Sequence, residues 1–312
     1  MPPDSLLWKY LGDHRISLTG GRTGTTENMH PQLGQAVSDH SEVFTNLMAR
    51  VQRSLPLIYD SVYGATPESI ALRIRSFRKP LTGIVQAESS AYFGTPYHGL
   101  DPETFYWAHA TFIDMVYSGV ERFIKPLSLA EKEQIFQESR LWWSLYGVDS
   151  RAQPENYLEF QAYWDRVVSE ELVGDTKVAQ YTVGYITKGI TRVFKRPPNV
   201  PKPLWDKAIA PAMDFIGALL GGGGLDPVMR EKLGIEWTGT QDRAYRILCA
   251  TIRRLGPVWE RLAPVHVRYT PQAAAGFDRE GIDPRRIAVR RSASRSPRVR
   301  RSAAPQEIGP DR

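Results

Sequence analysis

Hydrophobic positions along this chain recur at helical spacing and almost never at strand spacing. Between residues 41 and 55, Val43, Leu47, Val51 and Leu55 fall four apart, which is one face of a helix. Thr66-Pro67-Glu68 places a cap, a first-turn proline and a first-turn acid in a row, and predicts a helix ending before Pro80. Asp101-Pro102-Glu103 repeats the device and opens a longer helix to about Phe123. Ser128-Leu129-Ala130-Glu131 is a capping box whose helix should stop near Gly147. Pro154-Glu155 opens another that ends near Gly174. Further helices are expected at 176–189, 203–220, 227–233 and 241–262, the last bent at Pro257.

The first forty residues read as irregular. The Gly/Thr-rich stretch from Leu18 to Thr26 is expected to be a plain loop, because it lacks the Lys-Ser/Thr ending of a phosphate-binding loop. Strand signals are confined to short pieces such as Gly83 to Gln86. The fold class expected is therefore all-α: one globular domain over residues 1–278. Its central buried helix is expected at about 102–123, where Phe105, Trp107, Phe112, Ile113, Met115, Val116, Val120 and Phe123 leave little polar surface.

Charge changes this picture only at the C-terminus. The chain of 312 residues carries a net +6. Residues 279–312 hold ten Arg and only Glu280, Asp283, Glu307 and Asp311 as acids, so the body is neutral. The basic stretch is Arg/Ser-rich and poor in large apolar residues, which predicts a disordered tail. No aromatic residue is interleaved with its arginines, which argues against specific nucleic-acid recognition. Peripheral membrane contact remains open to it. The start of the chain lacks a signal-peptide pattern, and the most apolar stretch, 208–225, contains Pro211, Asp214 and four glycines. It reads as a core helix ending in a flexible turn at Gly221–Gly224, and the expected location is the cytoplasm. The lone Cys249 excludes an internal disulfide and a cysteine-rich zinc site.

No two of the six histidines stand at i, i+3 or i, i+4, so a helical two-histidine metal site is absent. His109 stands out. It lies mid-helix with Phe105, Phe112 and Val116 on its face and alanines on both sides. Such a position first suits a core histidine bonded to a neighbouring helix, and it also has what an axial haem ligand needs. The preceding helix carries Arg73, Arg75, Arg78 and Lys79, like charges that call for anionic partners or solvent.

Four segments resemble one family. They are His30-Pro31-Gln32-Leu33-Gly34-Gln35-Ala36-Val37-Ser38-Asp39-His40-Ser41, the Arg73–Lys79 helix, Tyr97-His98-Gly99-Leu100-Asp101-Pro102-Glu103-Thr104-Phe105-Tyr106-Trp107-Ala108-His109-Ala110-Thr111-Phe112, and residues 225–237. They are similar to the MpaB-type oxygenase and latex-clearing-protein (rubber oxygenase) catalytic domain. The resemblance implies an all-helical fold around b-type haem and a reaction of dioxygen with an apolar, isoprenoid-like unsaturated substrate. His109 would be the axial ligand to the haem iron. Arg75 would organise the distal side, with Arg78 and Lys79 as further catalytic contacts. Phe105, Trp107, Thr111 and Phe112 would wall the cofactor pocket. Many members of that family carry histidine where this chain has Arg78, and rubber oxygenases carry threonine where it has Lys79. Arginine cannot act as a general base but can stabilise an oxyanion. The alternative is a non-catalytic haem- or lipid-binding homologue of the same fold.

Overall fold

A computed structural model describes residues 1–194 and 196–289. The described residues are helical throughout, apart from loops and one small hairpin. The N-terminal helices are α1 (Leu6–Leu11), α2 (His14–Ser17), α3 (Gly20–Asn28) and α4 (Pro31–His40). Next come α5 (Leu47–Tyr63), α6 (Pro67–Arg78), the strands β1 (Thr82–Ile84) and β2 (Pro96–His98), and α7 (Pro102–Phe123). Beyond α7 lie α8 (Leu129–Ser144), α9 (Tyr157–Arg166), α10 (Lys177–Lys188), α11 (Lys202–Leu204) and α12 (Ala210–Gly224). The last are α13 (Pro227–Lys232), α14 (Gly239–Leu262), α15 (Val265–Arg268) and α16 (Pro271–Glu280). The strands pair antiparallel with Gly83 opposite Tyr97.

The expected central helix is α7. Asp101 caps it by accepting from the Thr104 amide at 2.9 Å. Every residue from Thr104 to Thr111 is buried, which spans more than two turns and every face. Helices α1, α2, α3, α4, α8 and α14 pack around it. Burial of each large side chain stabilises by about 1.5–3 kcal/mol, so Phe105, Tyr106 and Trp107 anchor this layer strongly.

Several expectations are corrected. The first forty residues are helical rather than irregular, and the Gly/Thr-rich loop is α3. Its threonines bond back to their own helix, Thr23 to the Thr19 carbonyl (3.1 Å) and Thr25 to that of Gly21 (2.9 Å). Tertiary burial of Arg22, Thr23, Thr25 and Thr26 against α7, α10 and α12 outweighs the weak local propensity. Helix α5 starts at Leu47, not Ser41, where Asn46 accepts from the Ala49 amide, and it runs through Pro56 to Tyr63.

The four glycines end α12 as helix rather than as a flexible turn. A Cβ at Gly221 would lie 2.8 Å from Ile186, at Gly222 2.6 Å from Trp237, and at Gly223 2.4 Å from Tyr245. At Gly224 it would stand 3.2 Å from Arg22. Close approach, not turning, explains the run. The expected tail also begins later than 279. Arg279 donates to the Tyr63 carbonyl (2.8 Å), Ile287 is buried, and Lys9 Nζ donates to the Ile287 carbonyl (2.6 Å). The rest of the predicted tail, 290–312, lies outside the described residues.

The N-terminus is fastened by side-chain bonds that no local pattern encodes. The Glu138 carboxylate of α8 accepts from the Leu6 and Leu7 amides at 3.2 and 2.8 Å. The Tyr63 hydroxyl accepts from the Gly12 amide and donates to the Trp8 carbonyl. Glu138→Ala leaves both α1 amides buried without that acceptor. We expect a stability loss of about 1–3 kcal/mol in equilibrium urea unfolding. An unchanged unfolding midpoint would show that the carboxylate is dispensable.

Candidate functional site

His109 is 2% exposed on the side of α7 that faces α8. The rings of Trp142, Trp143, Tyr146 and Tyr106 surround its imidazole at centroid distances of 4.7, 5.4, 5.8 and 6.0 Å. Its Nε2 stands 3.2 Å from the Ser139 carbonyl oxygen. A carbonyl can only accept, so Nε2 carries the proton and Nδ1 holds the lone pair. Nδ1 is buried and has no hydrogen-bond partner among the described residues. Burial, opposed by the Ser139 hydrogen bond and aided by the nearby charge of Arg78, holds the imidazole pKa down to about 3. The site is a neutral imidazole with one free nitrogen in an aromatic shell.

Helix α6 brings one of the three expected basic residues to this shell. The Arg78 guanidinium lies 4.3 Å from the centre of the Phe105 ring and is half-buried. It makes no ion pair or hydrogen bond among the described residues. Burial lowers its pKa, and the charges of Glu27 on α3 and Tyr146 oppose that fall. Glu27 itself is raised by burial, against the pull of Arg50 and Arg78. Arg75 instead reaches towards Gly147, whose Cβ would stand 3.3 Å from its Nη1. Lys79 is exposed at the C-cap of α6.

The expected pocket residues divide between the two sides of α7. Phe105 packs on Trp143 and Tyr146, and half-buried Phe112 on Trp142, both beside His109. Trp107 and Thr111 lie about half a turn away by helical geometry. Trp107 stacks on Trp164 at 4.9 Å and donates to the Glu27 carbonyl. The Thr111 hydroxyl is spent on the Ala108 carbonyl at 2.8 Å.

Among the described residues, two well-formed cavities border α7 without including His109. One, of about 260 Å³, is bordered by Arg22, Asp114, Glu121, Arg122 and Asp226 among others. Arg22 there is fully enclosed, ion-paired with Asp114 and 3.7 Å from Asp226. The other, of about 230 Å³, is lined by His30, Glu103, Arg151, Ala152, Tyr163, Arg166 and Glu171. His30 Nε2 stands 3.6 Å from Glu171, whose carboxylate also accepts from the Tyr92 hydroxyl at 3.2 Å and pairs with Arg166. The sequence reading used His30 only as part of a motif and missed Glu171, Glu27 and Arg50. Their partners come from distant helices, so no local spacing marks them.

Residues 8–254 match the family model described as "ER-bound oxygenase mpaB/B'/Rubber oxygenase, catalytic domain". The chain belongs to this oxygenase family. No curated protein and no solved structure shows a significant match. An oxygenase catalytic domain is an oxidoreductase that brings dioxygen to a small-molecule substrate. Among the described residues, no group of three or more His, Cys, Asp or Glu could hold a bare metal ion. None of their helices is long and apolar enough to cross a membrane.

The Glu171 cluster gives a pH-dependent expectation. The His30 imidazole and the Arg166 guanidinium hold the Glu171 carboxyl down to about 2, against its partial burial. Its unfolded value is higher, near 4.3, so the stabilisation is complete above about pH 4.5 and fades as pH falls towards 2. Glu171→Gln should cost about 1–3 kcal/mol at pH 7, with the gap from the parent closing between about pH 4.5 and 2. Denaturant unfolding of both proteins across that range measures it. A gap independent of pH would rule out an ionic contribution.

Proposed function

We propose that this member of the family is a haem-dependent oxygenase. It acts with dioxygen on an apolar, isoprenoid-like unsaturated substrate, and His109 is the axial ligand of a b-type haem. One observation carries the reading: a buried, neutral imidazole whose Nδ1 has no partner in a site otherwise made of aromatic rings. Buried polar atoms mostly find a partner, and Nδ1 of His109 shares its unpartnered status with other buried atoms such as Nδ1 of His30. What marks His109 is that its lone pair can donate to a Lewis acid from within a wholly aromatic shell. A single imidazole suits haem, because the macrocycle supplies four further donors and a bare ion would need more side chains.

The residues present fit that group by donor chemistry. The Ser139 carbonyl fixes the tautomer and ring orientation, the outer hydrogen bond that axial histidines require. Depression of its pKa keeps the imidazole unprotonated, and so free to ligate, across the physiological range. Trp142, Trp143, Tyr146 and Phe105 are buried and exclude water from the imidazole; they would wall an apolar cofactor site once the rings part to admit it. When bound, haem supplies the iron centre at which dioxygen is activated. Arg78, fixed on the Phe105 face, is the positive charge placed to stabilise developing anionic oxygen. Arg75 and Lys79 contribute to the field of α6 from further out.

A second reading is a non-catalytic haem- or lipid-binding homologue. The observation favouring it is that Arg78, the basic group whose charge acts on His109, cannot accept a proton during turnover. Absorption spectra of the protein expressed with haem supply, and of His109→Ala, test both. We expect a Soret band in the parent that shifts or disappears in the variant. No band in a folded parent would overturn the haem assignment. A band with no dioxygen-dependent consumption of an unsaturated isoprenoid would leave the binding protein.

A further inference from the structure

Helix α14 buries one narrow strip, Tyr245, Cys249 and Gly256, and leaves most of its surface to solvent. That outer surface is not polar. Ile247 is 60% exposed, Leu255 59%, Val258 54% and Leu262 75%. At about 100° per residue these four side chains fall within a sector of about 80°. Trp259, also exposed, borders the sector on one side. Arg243, Arg254 and Arg261 border it on the other, about 20–40° from Ile247 by the same helical geometry. All three arginines are exposed and form no ion pair among the described residues. The acids of the helix are turned elsewhere: Asp242 pairs with Arg246, and Glu260 with Arg15. Val267, in the short helix α15 that follows, is also 42% exposed.

Single exposed apolar residues are ordinary, but a row of four along one helix is a docking surface. Charge decides among its occupants. The segment 290–312 holds seven Arg and two acids and few large apolar residues, so the arginine row repels it. A second copy packed through the same face would set like charges together. An anionic lipid surface complements both halves. Aliphatic side chains enter the acyl boundary, guanidinium groups stay among the headgroups, and tryptophan takes the interface. We propose that α14 is a membrane-docking face that binds bilayers containing anionic lipid. The inference is independent of what His109 ligates.

The test uses the full chain with phosphatidylcholine vesicles, with and without phosphatidylserine, in a flotation assay. The parent should float with the anionic vesicles only, and binding should fall as salt rises. Leu255→Asp with Leu262→Asp should weaken binding at least tenfold, and Arg254→Glu with Arg261→Glu should do the same. All four positions are exposed, so unchanged melting curves are expected for both variants. Failure of the parent to float overturns the proposal. So does undiminished binding by the leucine variant, which would assign binding to residues 290–312. Sedimentation showing a parent dimer that the leucine variant dissolves, with vesicle binding unchanged, would make the face a self-contact and overturn it too.

Discussion

A helix wrapped on every side has no water to satisfy its polar side chains, and this constraint organises the molecule around α7. Most polar groups along it are matched within the protein, several by different neighbouring helices. Thr104 donates to Gln32 of α4, and Trp107 to the Glu27 carbonyl of α3. Asp114 is paired with Arg22, and the Tyr117 hydroxyl donates to the Lys132 carbonyl of α8. Thr111 closes on its own helix. Left without a partner among the described residues are Nη1 of Arg122, the Tyr106 hydroxyl and Nδ1 of His109, the last two on rings 6.0 Å apart. The Tyr106 and His109 atoms are the two of these that meet in the aromatic layer.

The same wrapping separates two environments. On the α8 side the polar partner of a histidine is a backbone carbonyl, and the surroundings are aromatic. On the other side His30 sits between the Trp107 and Tyr92 rings and faces a carboxylate held by arginine. Trp107 belongs to that second environment, so the block around His109 serves two faces. Adjacent letters in the sequence therefore have separate jobs, because a helix turns them away from one another.

Much of this was legible in the chain. The cap at Asp101 and the apolar positions after it located α7, and the capping box at Ser128 located α8, because both are local devices with fixed spacing. His109 stood out for the same reason: a polar residue on an apolar face is visible in one dimension. Helix α3 was hidden, since glycine and threonine favour turns unless tertiary contacts hold them. Glu27, Arg50 and Glu171 were hidden because their meaning comes from residues far along the chain. Arg75, Arg78 and Lys79 looked equivalent in sequence. Only packing of α6 set Arg78 on Phe105 and left Lys79 in solvent.

The glycine run at the end of α12 carries one more consequence. Runs of one small residue in linkers drift freely in length, because nothing measures them. Here each of the four positions is gauged by a separate element: Ile186 of α10, Trp237 before α14, Tyr245 within it, and Arg22 of α3. One inserted or deleted residue would turn the run by about 100° and present every gauge with the wrong partner. The run is thus a ruler of fixed length. Related chains should keep its count even where the surrounding letters change.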